Sequence, residues 1–139
     1  VKMRFEHLPN LDINENDIIH FQDGMLGFEE YKDFVVLEDD ENPFIMILQS
    51  TDDLHPSFVV VDPFEVLDKY EPILSKQDVD YFGDNTEIKY LLVTVITEDI
   101  SQSVVNLKSP IAIDVNTNRA KQVFLENDYS IRQRLFASN

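Results

Sequence analysis

Seven short runs rich in Val, Ile, Phe and Tyr, each closed by turn-forming residues, restrict what this chain can fold into more than any other feature: Asp17–Phe21, Phe34–Leu37, Phe44–Leu48, Phe58–Asp62, Glu87–Thr97, Pro110–Val115 and Lys121–Leu125. β-Branched and aromatic side chains suit a pleated, packed surface, and runs this short read as strands. Asn10, Asp23-Gly24, Asp39 to Pro43, Asp52 to Pro56 and Asn116 to Arg119 supply the turn chemistry between them. The last of these joins two apolar runs at hairpin distance. Alternation there predicts Ile111, Ile113 and Val115 pointing inward on one arm, with Val123 and Leu125 facing them from the other. Helix is brief: Ser75 caps a short segment with Asp78 in its first turn and Gly83 at its end, and Phe28–Lys32 makes one more turn. Many short strands with one or two helical turns predict an all-β fold, an antiparallel sandwich or barrel. With no internal repeat, low-complexity tract or linker, residues 1–139 read as a single domain.

The surface of such a barrel is strongly negative, with 27 acidic against 11 basic side chains in 139 residues and a net charge of -16. That repels phosphate backbones and anionic lipid, which argues against direct nucleic-acid or membrane-surface binding and favours a basic partner. Residues 1–70 hold 17 acids and 4 bases, whereas residues 71–139 hold 10 and 7. Asp33 to Asp68 contains ten acids and no Lys or Arg, while Arg119, Lys121, Arg132 and Arg134 make a mildly basic tail. The acidic half serves either solubility or a partner. With 10 Phe and 5 Tyr the chain is not composed like a disordered one. Cysteine is absent, which excludes disulfides, thiolate nucleophiles and Cys-based metal sites. No apolar stretch approaches 18 residues, and no basic region followed by an apolar run opens the chain, so neither a spanning helix nor a retained signal peptide is expected. The chain reads as soluble and cytoplasmic, and as a monomer when free.

Catalytic patterns are sparse. His7, His20 and His55 lack helical pairing, and no cofactor or metal is expected. His20, between Ile19 and Phe21, reads as a hydrogen-bonded structural residue. His55 beside Asp52, Asp53 and Ser57 could be drawn as a hydrolase constellation, but residues so close in sequence read more simply as a turn. Asp78 to Asp84 fails the spacing of a calcium loop, and Gly24-Met25-Leu26-Gly27 lacks the residues of a phosphate loop. The chain is therefore read as a non-enzyme.

Strand exits carry the more informative residues. Pro63 has no N–H and ends ladder pairing after Asp62, leaving Phe64 at the exit of an apolar run. Asn106-Leu107-Lys108-Ser109-Pro110 does the same between two strands, and Gln49-Ser50 closes another. These residues either cap the backbone locally or form a binding rim. On the second reading Gln49, Asp62, Pro63, Phe64, Asn106, Leu107 and Lys108 are the candidate partner-binding residues. Phe64 and Leu107 would then be apolar anchors, and Gln49 and Asn106 would orient a partner's main chain. A carbohydrate- or small-ligand-binding barrel is the alternative, and it requires a deep apolar pocket.

In order, Gly24-Met25-Leu26-Gly27-Phe28-Glu29, Ile47-Leu48-Gln49-Ser50, Phe58-Val59-Val60-Val61-Asp62-Pro63-Phe64, Asn106-Leu107-Lys108-Ser109-Pro110-Ile111 and Asp128-Tyr129-Ser130-Ile131-Arg132 resemble the flagellar assembly factor FliW family. The resemblance runs across nearly the whole chain. It implies a small β-barrel-like protein without enzymatic activity that binds flagellin and, alternatively, CsrA, the RNA-binding translational regulator that represses flagellin mRNA. It also implies a partner switch: the free protein holds CsrA and lifts repression, noncompetitively with RNA, and accumulating flagellin takes it away.

Overall fold

A computed structural model describes residues 2–3, 11–12, 14–38, 40–52 and 55–136. His7, Asn10, Asp39 and Asp53 lie outside them. The strands are β1 (Lys2–Met3), β2 (Leu11–Asp12), β3 (Ile19–Phe21), β4 (Asp33–Glu38), β5 (Ile45–Ser50), β6 (Ser57–Val61), β7 (Ile88–Val95), β8 (Val104–Val105), β9 (Ile111–Asp114), β10 (Arg119–Gln122) and β11 (Gln133–Arg134). Seven of them close a barrel in the order β7-β6-β5-β4-β3-β10-β9, with β9 pairing back onto β7. β8 and β11 extend the sheet from the C-terminal half of β7.

The expected antiparallel arrangement holds at every barrel seam except one, where β3 and β10 run parallel. An odd number of strands cannot alternate in direction all the way round a closed ring, so a barrel of seven needs at least one parallel seam. That seam falls between strands far apart in the chain, where no hairpin dictates direction.

Period-two alternation builds two cores from the same strands. Phe21, Phe34, Leu48, Val60, Leu91, Ile111, Ile113 and Ala120 fill the barrel, with Phe21 and Phe34 edge to face at 5.2 Å. Val61, Leu92, Ala112 and Val105 point outward into a second core with Tyr70, Phe82, Leu107, Val123 and Leu125. Each large side chain removed from water contributes about 1.5–3 kcal/mol before the entropy of ordering it.

The hairpin departs from its predicted facing. Ala120 and Gln122 stand opposite Ile113 and Ile111, so the odd-numbered residues Val123 and Leu125 fall on the outer face and join the second core. Val115 is exposed, because β9 ends at Asp114, whose carboxylate accepts from the Asn116 N–H at 3.0 Å and turns the chain.

The helix α1 (Lys76–Phe82) forms as its ends dictate: Ser75 Oγ accepts from the Asp78 N–H at 3.2 Å, and Gly83 ends it at φ 89°. Asp78 does more than face the helix N-terminus. Its carboxylate is buried and meets Lys121 Nζ of β10 at 2.7 Å. Phe28–Lys32 is not helical; the chain there makes successive turns, with the Phe28 N–H donating to Met25 O and the Tyr31 N–H to Phe28 O.

Candidate functional site

Where β6 ends, the chain leaves the barrel wall. Asp62 Oδ1 accepts from the Phe64 N–H at 2.9 Å and starts a 3-10 turn over Pro63–Glu65. Within this turn Pro63 is buried and Phe64 is pushed outward, 67 % exposed. Between this turn and the start of β7 lies an open groove of about 480 Å³. Asp62, Pro63 and Phe64 line one side, Glu87 to Tyr90 another, and Tyr70, Pro72 and Val115 complete it.

The floor is held by hydrogen bonds from behind. Tyr70 Oη donates to Leu107 O at 2.7 Å, and the Tyr70 ring stacks on Tyr129 at 5.0 Å. Asn127 grips the irregular segment carrying Pro72 on two polar groups: its Oδ1 accepts from the Ile73 N–H at 2.6 Å and its Nδ2 donates to Glu71 O at 2.9 Å. Lys108 Nζ donates to Asn127 O, with the same ammonium 5.1 Å from the Phe124 ring centroid. Asn106 Oδ1 accepts from the Lys108 and Ser109 N–H groups at 3.0 and 2.9 Å, fixing the turn from which Lys108 reaches out.

The seven expected rim residues therefore divide. Asp62, Pro63 and Phe64 meet at the groove. Asn106 and Lys108 brace the segment behind it. Gln49 and Leu107 are not rim residues: Gln49 is 2 % exposed within β5, its Nε2 donating to Ser50 O, and Leu107 is 3 % exposed in the second core. β5 continues through Gln49 and Ser50 instead of ending before them, and the Asn106 turn folds Leu107 under Tyr70. Tyr70, Pro72, Glu87, Lys89 and Tyr90 were not foreseen, because they arrive from separate segments.

Neither His55 nor Asp52 lines the groove, and both are exposed. His20 sits opposite Asp33 across β3 and β4, with Nδ1 2.8 Å from Oδ1, the structural pairing expected of it. No group of three or more His, Cys, Asp or Glu among the described residues could hold a metal ion. None of the described helices is long and apolar enough to cross a membrane.

Burial raises the Tyr70 hydroxyl above the ordinary tyrosine range, reinforced by Tyr129 and Tyr90, and it raises Tyr90, reinforced by the negative charge of Asp78. Above a pH of about 10 the unfolded chain sheds phenolic protons that the folded chain keeps. The stability these groups hold is thus intact below that pH and falls as pH rises through the folded values. Urea midpoints measured from about pH 9 to pH 11.5 should decline, and Tyr90→Phe should make the decline shallower. An unchanged slope would show that Tyr90 is freely solvated.

The family model for the FliW protein matches residues 2–135. The flagellar assembly factor FliW of Caldicellulosiruptor saccharolyticus is 36% identical over 132 residues, covering 91% of this chain and 84% of its own. That of Leptospira interrogans is 34% identical over 143 residues, covering 99% and 95%. A crystal structure of the flagellar assembly factor FliW superposes with a TM-score of 0.87 at 29% identity, covering 99% of this chain and 98% of that one. With a matching barrel and a match from one end to the other, this chain belongs to the FliW family.

Proposed function

We propose that this chain acts in flagellar assembly as a non-enzymatic regulator that binds flagellin and, alternatively, CsrA, relieving CsrA repression of flagellin mRNA by a partner switch. The family match over residues 2–135 carries this reading. The output is set by mass action: free flagellin in excess of the regulator withdraws it from CsrA. The net charge of -16 supports a protein that keeps away from RNA while meeting a basic partner. Binding to CsrA is noncompetitive with RNA, the acidic stretch from Asp33 to Asp68 speeding association without filling the RNA groove.

Docking takes place at the Asp62-Pro63-Phe64 rim. Leu107 contributes through the packing beneath it, and Asn106 and Lys108 through its bracing, whereas Gln49 lies opposite Ser57 at the other end of β6. Mixing the protein with purified flagellin and CsrA, separately and together, tests the switch. Two mutually exclusive complexes are expected, and no complex with either would sink it. Phe64→Ala should weaken binding roughly 30-fold, the scale of about 2 kcal/mol for an exposed aromatic anchor. The melting temperature should stay nearly unchanged, because surface substitutions are usually worth within about 0.5 kcal/mol. A large loss of stability with unchanged binding would assign Phe64 to packing instead.

A further inference from the structure

Inside the groove, β7 has an open edge. Glu87 O accepts from the Val115 N–H and Val93 O from the Asn106 N–H, so the odd-numbered residues of β7 turn their backbone polar groups toward β9 and β8. In an antiparallel ladder the alternate residues face the other way, so the N–H and C=O of Ile88, Tyr90 and Leu92 point toward β6. Leu92 meets Val61 there. The same register would put Pro63 opposite Tyr90 and Glu65 opposite Ile88, but both belong to the 3-10 turn. Pro63 has no N–H, and its carbonyl accepts from the Val66 and Leu67 N–H groups at 3.1 and 2.9 Å. The Glu65 N–H donates to Asp62 O at 3.0 Å. β6 therefore offers Tyr90 no main-chain partner and offers Ile88 no donor.

An unpaired stretch of strand edge is a template for another strand, and main-chain pairing at such an edge is a recurring way of holding an extended peptide. The walls match that occupant. Phe64, Tyr70, Pro72 and Tyr90 supply flat apolar surface for alternate side chains, and Asp62 and Glu87 set two carboxylates against the single cation Lys89.

We infer that the groove between the Pro63–Glu65 turn and β7 takes up an extended, apolar segment of flagellin carrying a Lys or Arg, which pairs as an added strand with Ile88 and Tyr90 and sets its cation between Asp62 and Glu87. The inference rests on flagellin being a partner, as proposed above, and it adds the mode of capture.

Amide hydrogen exchange read by NMR on the full chain, free and with purified flagellin, tests it, with size exclusion reporting whether a complex forms. The Ile88 and Tyr90 amides should exchange at least about ten-fold more slowly in the complex, as protected strand amides do. Lys89, turned toward β9, should change little. A complex that leaves both amides at their free rates overturns the added strand while the partner reading stands; no complex overturns both. Glu87→Lys, at an exposed side chain, should weaken flagellin binding about ten-fold at low salt and less at high salt. Unchanged affinity at both salt concentrations would refute the basic residue on the partner.

Discussion

Asp78→Ala is expected to destabilise the protein by about 3–5 kcal/mol, the cost of leaving one member of a buried ion pair without the other. The Asp78 side chain is 7 % exposed and that of Lys121 17 %, with Nζ and Oδ1 2.7 Å apart. Helix α1 lies outside the barrel, and this pair ties it to β10 in the wall. Removing the carboxylate strands an ammonium whose other notable neighbour is the Tyr81 ring, 5.3 Å from Nζ. That ring recovers only part of the loss, since a cation over an aromatic face is worth about 0.5–2 kcal/mol. The double variant Asp78→Leu with Lys121→Met should regain most of the stability, because an apolar pair of similar volume avoids desolvating two charges. Urea denaturation with an unchanged m-value checks both variants. If Asp78→Ala costs under about 1 kcal/mol, the range of a solvated surface pair, the two charges are not buried in solution.

This pair also marks where reading by sequence stops. Ser75, Asp78 and Gly83 announce α1 through local chemistry, and the helix forms where they place it. That Asp78 reaches Lys121, 43 residues on, follows only from the closure of the barrel. The seven apolar runs became the seven barrel strands because β-branched and aromatic content is a local signal, and their ends moved by a few residues where turns overrode propensity. The partner of each strand beyond its hairpin neighbour was not legible: β9 with β7 and β3 with β10 join distant segments, and the parallel seam came with them.

The groove divides in the same way. Pro63 could be read as a strand terminator because a missing N–H acts wherever the residue sits, and Phe64 followed to the surface. Gln49 looked like a polar rim residue because burial of the outer face of β5 depends on what packs over it, which no local pattern encodes. Leu107 looked like an exposed turn residue until Tyr70 closed over its carbonyl. Tyr90 and Glu87 had no signal beyond belonging to a strand, since their role depends on β6 departing opposite them.

Two glycines in one loop should respond very differently to the same added methyl group. Gly24 and Gly27 both hold positive φ, 68° and 87°, so alanine at either bears a left-handed penalty of about 1–2 kcal/mol. At Gly27 a Cβ meets nothing within 4 Å, whereas at Gly24 it would lie 2.6 Å from Glu29 Cα and 2.8 Å from Glu29 O. Backbone cannot rotate away as a side chain can, so forcing it apart adds an overpacking cost of about 1–3 kcal/mol. Gly27→Ala should therefore cost about 1–2 kcal/mol and Gly24→Ala about 2–5 kcal/mol. The difference reports on what the loop does. Met25 is buried in the barrel core, and its carbonyl accepts from the Phe28 N–H at 2.7 Å. The Leu26 N–H donates to Gln122 Oε1 of β10 at 3.0 Å, while the Leu26 side chain stands 81 % exposed. The close packing at Gly24 thus lets one residue plug the barrel while its neighbour faces solvent. Equal losses for the two variants in urea denaturation would mean that the loop yields at Gly24 and that Met25 is not rigidly seated. The larger loss at Gly24 means that the loop is part of the barrel's own packing, and that Leu26 is held out from a fixed base.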